Sequence, residues 1–465
     1  MIGSPPSRSV SLLLLLVSSL TACTTPAAYL GESIDAIDTS RGYRAAAAFD
    51  SHAQDELLVL VSLSGGGMRA SAMAYGLFEQ LAQDRVGESS SARRMLDEVD
   101  VISAVSGGAI TAAHFVLKGE QGLPEFRRRF LYQDFGEGLQ RKILYDPRSW
   151  LKLLSKNYDR GDLYAEYFDR RLFGGATFTD LERSGTAPFL IINATDIGTA
   201  GRFEFTQETF DLLCLDLDKY PLSRAVAASS SVPALLTPIT LRNAAGTCGY
   251  TLPQWVSKAG AAEKNGTREH FRAATMLARS DASRYAFLHL MDGSLSDNLA
   301  VRTALDALSE GEDFLRLQET LARTKPRKLV FIALNASDSQ WHRIGAKRTP
   351  PDVLAMLRLL GTVPMDRYSI ESRSLLKQTL ESWAQRVSGN GTIDNLHFIE
   401  LDLDSLQSHP RFSPLTSLPT TFSLRREQVD ELRCAAAYLL AQDPEYRRLM
   451  TDLGETASAA RPCRP

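Results

Sequence analysis

Three short stretches of the chain hold residues able to do chemistry, and each follows a run of apolar residues. The first is Ser64-Gly65-Gly66-Gly67-Met68-Arg69, directly after Leu57–Leu63. Three glycines at a strand-to-helix turn let several backbone N–H groups face one small volume, and the helix N-terminus adds partial positive charge there. Such an anion hole suits a phosphate or the oxyanion of a tetrahedral acyl-transfer intermediate. A tight turn that needs glycine's backbone freedom would read the same way. The string matches neither G-x-x-x-x-G-K-[ST] nor G-x-G-x-x-G and so lacks a nucleotide-binding fingerprint. The second stretch, Ala104-Val105-Ser106-Gly107-Gly108, puts a serine between small neighbours where an apolar run meets an Ala-rich helical stretch. That is the setting of a nucleophile elbow, although Ala104 replaces the first Gly of G-x-S-x-G. A glycine turn with a chance serine is the plain alternative. The third stretch, Met291-Asp292-Gly293-Ser294-Leu295-Ser296-Asp297-Asn298, closes another apolar run. Asp-Gly is common turn chemistry. An Asp at the C-terminal edge of a parallel sheet, however, lies where open α/β sheets build their sites. All three turns are expected to leave that edge and converge.

The elements that must position these turns are legible in the same way. Apolar runs at Leu57–Leu63, Val99–Val105, Phe189–Asn193, Ala286–Met291, Leu329–Leu334 and Leu396–Leu401 alternate with helical stretches at Met68–Gln83, Gly108–Leu117, Ser223–Ser230, Leu299–Leu308 and Arg425–Ala441. Near-continuous apolar strands separated by helices predict a parallel sheet covered on both faces. At 465 residues, 44% hydrophobic and 23% charged, the chain has the composition of a globular protein with a sizeable core. Lys and Arg number 52 against 55 Asp and Glu, so the formal charge is −3 and there is no basic excess to suggest nucleic-acid binding. We read one α/β domain over residues 55–445, with insertions at about 125–170 and 254–284 and a C-terminal tail at 446–465.

The first insertion carries Ile143-Leu144 and Trp150-Leu151-x-Leu153-Leu154, and residues 127–160 hold nine Lys or Arg against four Asp or Glu. A helix with one solvated face fits this pattern, as does an amphipathic element lying on an anionic membrane. The N-terminus has one Arg before Ser11–Val17 and then Leu20-Thr21-Ala22-Cys23. The apolar core is too short to span a bilayer and fits a signal peptide over residues 1–22. The last four positions resemble a bacterial lipobox, which would make Cys23 a lipidated N-terminus and residues 23–54 a tether. Thr24 in place of Asp points to the outer membrane as destination. An ordinary signal peptide is the alternative. Cys214, Cys248, Cys434 and Cys463 remain, an even number that suggests disulfides in an exported protein. Cys214 with Cys248 and Cys434 with Cys463 close the shorter loops. No cysteine has metal-ligand spacing and the seven histidines do not cluster, so neither a metal nor an organic cofactor is expected.

Taken in order, the three stretches resemble the patatin-like phospholipases, a family of serine lipid acyl hydrolases. Asn193-Ala194-Thr195-Asp196 with Phe203-x-Phe205, Ala227–Pro233 and Leu418-Pro419-Thr420 also look like family landmarks, and the likeness runs from about Leu57 to about Leu440. Ala104, and Ser294 in place of a second Gly after Asp292, are the departures. The resemblance implies a three-layer α/β/α fold with a mainly parallel sheet and a Ser–Asp dyad. Ser106 would be the nucleophile, Asp292 the base, and Gly65, Gly66, Gly67 and Gly107 the oxyanion donors. Arg69 would order the glycine loop or meet an anionic group, and Asp297 and Asn298 would fix their loop. The expected substrate is a phospholipid or lysophospholipid at a membrane surface. Acyl transfer to an alcohol, or lipid binding without turnover, are the alternatives. A Ser–His–Asp triad is the mechanistic rival, with His342, His397 and His409 eligible by chain order. His289 reads as a strand residue near the site. Head group, acyl length, positional preference and oligomeric state are left open by the sequence.

Overall fold

The computed structural model describes residues 29–45, 57–86, 93–182, 188–233, 236–261, 266–308, 328–337, 344–345, 348–388 and 396–454. Cys23, His342, Cys463 and the signal peptide lie outside the described residues.

The core is an eight-stranded sheet. Its strands are β1 (Leu57–Leu63), β2 (Val99–Val105), β3 (Phe189–Asp196), β4 (Gly201–Glu204), β5 (Ile239–Arg242), β6 (Phe287–Asp292), β7 (Lys328–Asn335) and β8 (Leu396–Asp402). They run in the order β8-β7-β1-β2-β3-β6-β5, with β4 paired to β3 off this path. Every residue of β1, β2 and β3 is buried, as the unbroken apolar runs require of strands covered on both faces. The run β8-β7-β1-β2-β3 is parallel. β6 is antiparallel to both β3 and β5, and β4 is antiparallel to β3. The sheet is therefore mainly parallel, with an antiparallel flank on the side that carries Asp292.

The helices that matter to the site are α1 (Met68–Leu81), α2 (Ser106–Lys118), α3 (Phe135–Tyr145), α4 (Pro147–Leu153), α5 (Arg160–Phe168), α6 (Leu222–Ser229), α7 (Arg302–Leu308), α8 (Val353–Ser388), α9 (Arg426–Gln442) and α10 (Pro444–Asp452). α1 packs on α9 so closely that a Cβ at Gly76 would overlap the backbone of Arg433. The second insertion folds into helices Gln254–Ala261 and Arg268–Arg279.

Two boundaries differ from the sequence reading. Part of the expected tether is docked: Glu32–Ser33 pairs with Leu215–Asp216, and the Tyr43 ring stacks on Phe189 at 4.5 Å. The Tyr43 hydroxyl also accepts the Leu190 N–H at 2.7 Å. Scattered contacts anchor this segment, among them the Tyr43 ring, the Tyr29 ring against Tyr220 and Arg44 on Asp211 at 2.8 Å, and contacts so spaced leave no periodicity to read. The expected tail begins as α10, whose Tyr446, Leu449 and Met450 are buried, so the folded body continues past residue 445. Cys214 and Cys248 are joined by a disulfide with a Cα–Cα distance of 5.5 Å.

Candidate active site

Ser106 is the residue where β2 becomes α2, and its φ of 51° lies in the left-handed region. For a non-glycine residue that conformation costs on the order of 1–2 kcal/mol and persists only when its surroundings enforce it. The enforcing contacts are visible. The Ser106 N–H donates to Ser229 Oγ at 2.9 Å, and Ser229 Oγ donates in turn to the Asn193 carbonyl at 2.6 Å. A Cβ at Gly107 would overlap the Gly67 carbonyl oxygen, and one at Gly108 would stand 2.7 Å from the carbonyl oxygens of Leu63 and Ser64. The small residues after Ser106 are thus required by the glycine loop pressed against them.

β3 sets the height of the Ser106 and Asp292 side chains. Val105 is in register with Asn193, and Asp292 is in register with Ala194, the next residue. Ser106 and Asp292 therefore stand level on either side of one strand. The Ser106 hydroxyl donates to Asp292 Oδ2 at 3.0 Å, and Asp292 Oδ1 accepts the Ser294 N–H at 2.9 Å. The Asp292 N–H donates to the Ser231 carbonyl at 3.1 Å, and Thr195 Oγ1 donates to the Asp292 carbonyl at 2.9 Å. Burial pushes the Asp292 carboxyl above its ordinary range, although the Ser294 amide and the Ser106 hydroxyl pull it partly back. That is the direction a carboxylate needs to act as a base toward a hydroxyl. The expectation that Asp292 ends a parallel strand is corrected. β6 runs antiparallel and reaches the same edge because it is short and stops opposite Ala194.

In the glycine loop, Gly66 and Gly67 have φ of 138° and 60°, which favour glycine. The Gly65 amide is committed elsewhere: it donates to the Asn298 carbonyl at 2.9 Å. Gly65 thus leaves the expected donor set and acts as a spacer. A Cβ there would overlap Ser294 Oγ and stand 3.5 Å from Ser106 Cβ. The amides of Gly66 and Gly67 make no hydrogen bond among the described residues. Gly107 lies in the first turn of α2, where amides have no intrahelical partner.

Arg69 is buried. Its guanidinium donates through Nη1 to the Leu418 carbonyl and through Nη2 to Thr420 Oγ1 at 3.3 Å. The Met68 N–H donates to the Thr421 carbonyl at 2.7 Å. The segment 418–421 is a strap over the start of α1, and Arg69 ties the loop to it. Asp297 Oδ2 accepts the Arg302 N–H at 2.7 Å and Asn298 Nδ2 donates to Ser337 Oγ at 2.6 Å, so both brace their loop.

The histidines lie elsewhere. His289 is exposed and meets Thr240 Oγ1 at 3.1 Å. His397 is buried beside Asp452 and Glu445, and burial lowers its pKa to about 4. His409 stacks on Phe412. Among the described residues no histidine hydrogen-bonds Ser106 or Asp292. Sequence reasoning quoted Asn193, Thr195 and Ser229 as landmarks without giving them roles, and it missed Tyr164. The buried Tyr164 hydroxyl donates to Ser230 Oγ at 3.3 Å, and burial holds its pKa well above the ordinary phenol value, with the nearby Asp292 charge adding to the rise.

The family model for patatin-like phospholipases matches residues 61–305, a span that holds the glycine loop, Ser106 and Asp292. The chain belongs to that family. Among solved structures, human GIVD cytosolic phospholipase A2 is similar at 11% identity over 92% of this chain and 67% of that one, with a TM-score of 0.48. The same human protein in complex with methyl gamma-linolenyl fluorophosphonate is similar at 12% identity over 91% of this chain and 65% of that one, with a TM-score of 0.43. This patatin-like chain therefore spans about two thirds of the length of those structures. No curated protein sequence matches it.

Proposed function

We propose that this patatin-like protein is a serine lipid acyl hydrolase of the phospholipase A or lysophospholipase type, working through a Ser106–Asp292 dyad. The observation that carries the reading is the 3.0 Å hydrogen bond from the Ser106 hydroxyl, held on a left-handed elbow, to a buried carboxylate. Ser106 Oγ attacks the ester carbonyl carbon as Asp292 Oδ2 takes the hydroxyl proton. The negative charge that develops on the carbonyl oxygen is met by the amides of Gly66, Gly67 and Gly107. Collapse breaks the ester C–O bond, and protonated Asp292 returns its proton to the departing alcohol. Water then attacks the acyl-Ser106 ester as Asp292 takes one of its protons. Collapse breaks the bond from the acyl carbon to Ser106 Oγ, with Asp292 returning the proton to Ser106 Oγ as the fatty acid leaves. Because a carboxylate is a weak base for serine, preorganised amides must supply much of the rate, with one donor worth roughly 10²–10³ in turnover.

The same proposal extends to the address of the protein. Residues 1–22 are a signal peptide and Cys23 a lipidated N-terminus that anchors the enzyme at the bacterial outer membrane. The lipobox-like Leu20-Thr21-Ala22-Cys23 supports this.

A fluorophosphonate probe tests the chemistry. A single adduct on Ser106, lost in Ser106→Ala and weakened in Asp292→Asn, is the expected result. No adduct on folded wild type in the presence of vesicles would overturn the hydrolase reading. Released fatty acid, rather than a new ester, separates hydrolysis from acyl transfer.

A further inference from the structure

The first insertion exposes apolar surface that nothing within the described chain covers. Leu144 is 56% exposed, Tyr145 75%, Trp150 49%, Leu151 69% and Leu154 80%. Five of the fifteen large hydrophobic side chains exposed among the described residues thus fall within one stretch of the α3–α4 hairpin, where chance scatter would spread them over the surface. Trp150, Leu151 and Leu154 are spaced to share one side of α4. Asp146 alone joins the two helices and caps α4, accepting the Arg148 N–H at 3.0 Å. The Trp150 indole N–H donates to the Ile143 carbonyl at 2.8 Å, which fixes the angle of the hairpin. Arg141, Arg148, Lys156 and Arg160 are exposed along the same stretch of chain, Arg141 being paired with Glu137, within the segment that carries nine cations against four anions.

The roots of the insertion are tied to the site. Phe135, the first residue of α3, packs on Phe422 with ring centroids 6.4 Å apart, and the Gly136 N–H donates to Ser423 Oγ at 3.3 Å. Phe422 and Ser423 continue the strap that holds the glycine loop. Beyond the hairpin, α5 brings the Tyr164 ring to 6.0 Å from Phe422 and its hydroxyl to Ser230, next to the serine that grips the Ser106 amide.

We infer that the α3–α4 hairpin is a membrane-docking element whose apolar tip enters an anionic phospholipid bilayer and sets the Ser106 site against the lipid surface. The inference deepens the proposed hydrolase reading and rests on it for the purpose of docking, though not for docking itself. An exposed aromatic-aliphatic tip flanked in sequence by exposed Lys and Arg is the composition of an interfacial helix. Its apolar side chains leave water for the acyl boundary while the cations remain with the phosphates. Among the described residues no helix is long and apolar enough to cross a membrane, and the hairpin would lie on the surface.

The test uses the proposed mature chain, residues 23–465 with Cys23→Ser, so that neither the apolar leader nor an acyl anchor is attached, compared with the same chain carrying Leu151→Glu and Leu154→Glu. Both leucines are mostly exposed, so the fold should be unaffected, and melting curves check that. Co-sedimentation with vesicles of mixed phosphatidylglycerol and phosphatidylcholine, and a blue shift of tryptophan fluorescence that is lost when Trp150, one of four tryptophans, is replaced by Phe, read docking without any turnover. The double variant is expected to lose about tenfold or more in vesicle partitioning for each leucine replaced. Binding should be weaker on pure phosphatidylcholine and at raised salt. Hydrolysis of vesicle phospholipid should fall in parallel, while hydrolysis of a soluble short-chain ester stays at the parent rate. Equal sedimentation of parent and variant, or equal binding to neutral vesicles, would overturn the inference. So would concentration-dependent self-association that the variant abolishes in the absence of vesicle binding. Absence of all ester hydrolysis with intact, leucine-dependent docking would instead remove the hydrolase reading and leave the docking face standing.

Discussion

Asp292→Asn separates the chemistry of the site from its architecture. The carboxylate accepts the Ser106 hydroxyl at 3.0 Å and the Ser294 amide at 2.9 Å. An asparagine can keep both contacts, with its oxygen on the Ser294 N–H and its amide nitrogen donating to Ser106 Oγ. It cannot take a proton. Loss of a general base costs about 10²–10⁴ in rate, or roughly 3–5 kcal/mol of barrier. The fold should not suffer. Because burial raises the folded pKa of Asp292, the native state above the ordinary carboxylate range must either retain a proton that the unfolded chain releases or bury a charge, and either choice opposes folding. Asparagine carries neither cost, so the variant should melt no lower than wild type.

The sign of the pH dependence sharpens the test. A raised folded pKa means that the stability contribution of Asp292 is fully present below the unfolded pKa and is lost as pH rises through the folded value. Activity runs the other way: the base form is lost as pH falls through the same folded value. Wild-type kcat/KM on a soluble ester should therefore show an acid limb above the ordinary carboxylate range of about 4. Over the same window the wild type should gain stability relative to Asp292→Asn as the pH falls. The assay is kcat/KM and thermal unfolding of both proteins across one buffer series. A folded Asp292→Asn that keeps more than about a tenth of the wild-type rate would refute Asp292 as the base. An inactive variant that also melts well below wild type would show that the carboxylate is structural.

Three further outcomes follow from the same geometry. Ser106→Gly and Ser106→Ala should both be inactive, but the glycine variant should be the more stable by about 1 kcal/mol because it relieves the left-handed φ, which thermal melts in parallel would show. Ser229→Ala leaves the buried Ser106 amide without its acceptor, so chemical denaturation should register a loss of about 1–3 kcal/mol and kcat should fall more than KM rises. Reducing the Cys214–Cys248 bridge, which closes a sequence separation of 34 residues, should destabilise the protein by up to about 4 kcal/mol in denaturant titrations with and without reductant.

The strands were the most legible part of the fold because each of the central ones is buried on both faces and so carries an unbroken apolar signature. The runs at Leu57–Leu63 and Val99–Val105 coincide with β1 and β2, and Phe189–Asn193 extends by three residues to become β3. Direction was not legible. A buried strand has the same composition whichever way it points, so the reversal of β6 left no trace in Ala286–Met291. In the site, Ser106 and the glycines stood out because a backbone constraint selects their type locally. The grip of Ser229 on the Ser106 amide joins residues 123 positions apart, and the anchoring of Arg69 on Leu418 joins residues 349 apart. Side-chain convergence over such distances selects only a small polar group or a cation, which many other positions also carry.

On the proposed reading, the antiparallel flank explains how a dyad without a histidine is held in register. In a purely parallel sheet both functional groups would leave the edge on outgoing loops, and their separation would depend on how those loops fold. Here Ser106 leaves upward at the end of β2 while Asp292 arrives downward at the end of β6, and both stop level with Ala194 of the strand between them. The Ser106–Asp292 distance is then fixed by two hydrogen-bonded ladders to a common strand, with Thr195 and Ser231 holding the Asp292 backbone from either side. A dyad has no third residue to orient its base, so the base must be oriented by its backbone. The carboxyl of Asp292 is short and its main chain is pinned at both the N–H and the carbonyl, which leaves few rotamers to search. A glutamate at 292 would add one methylene to that arm and another torsion. It would keep the charge and lose the level on which the sheet places the oxygen.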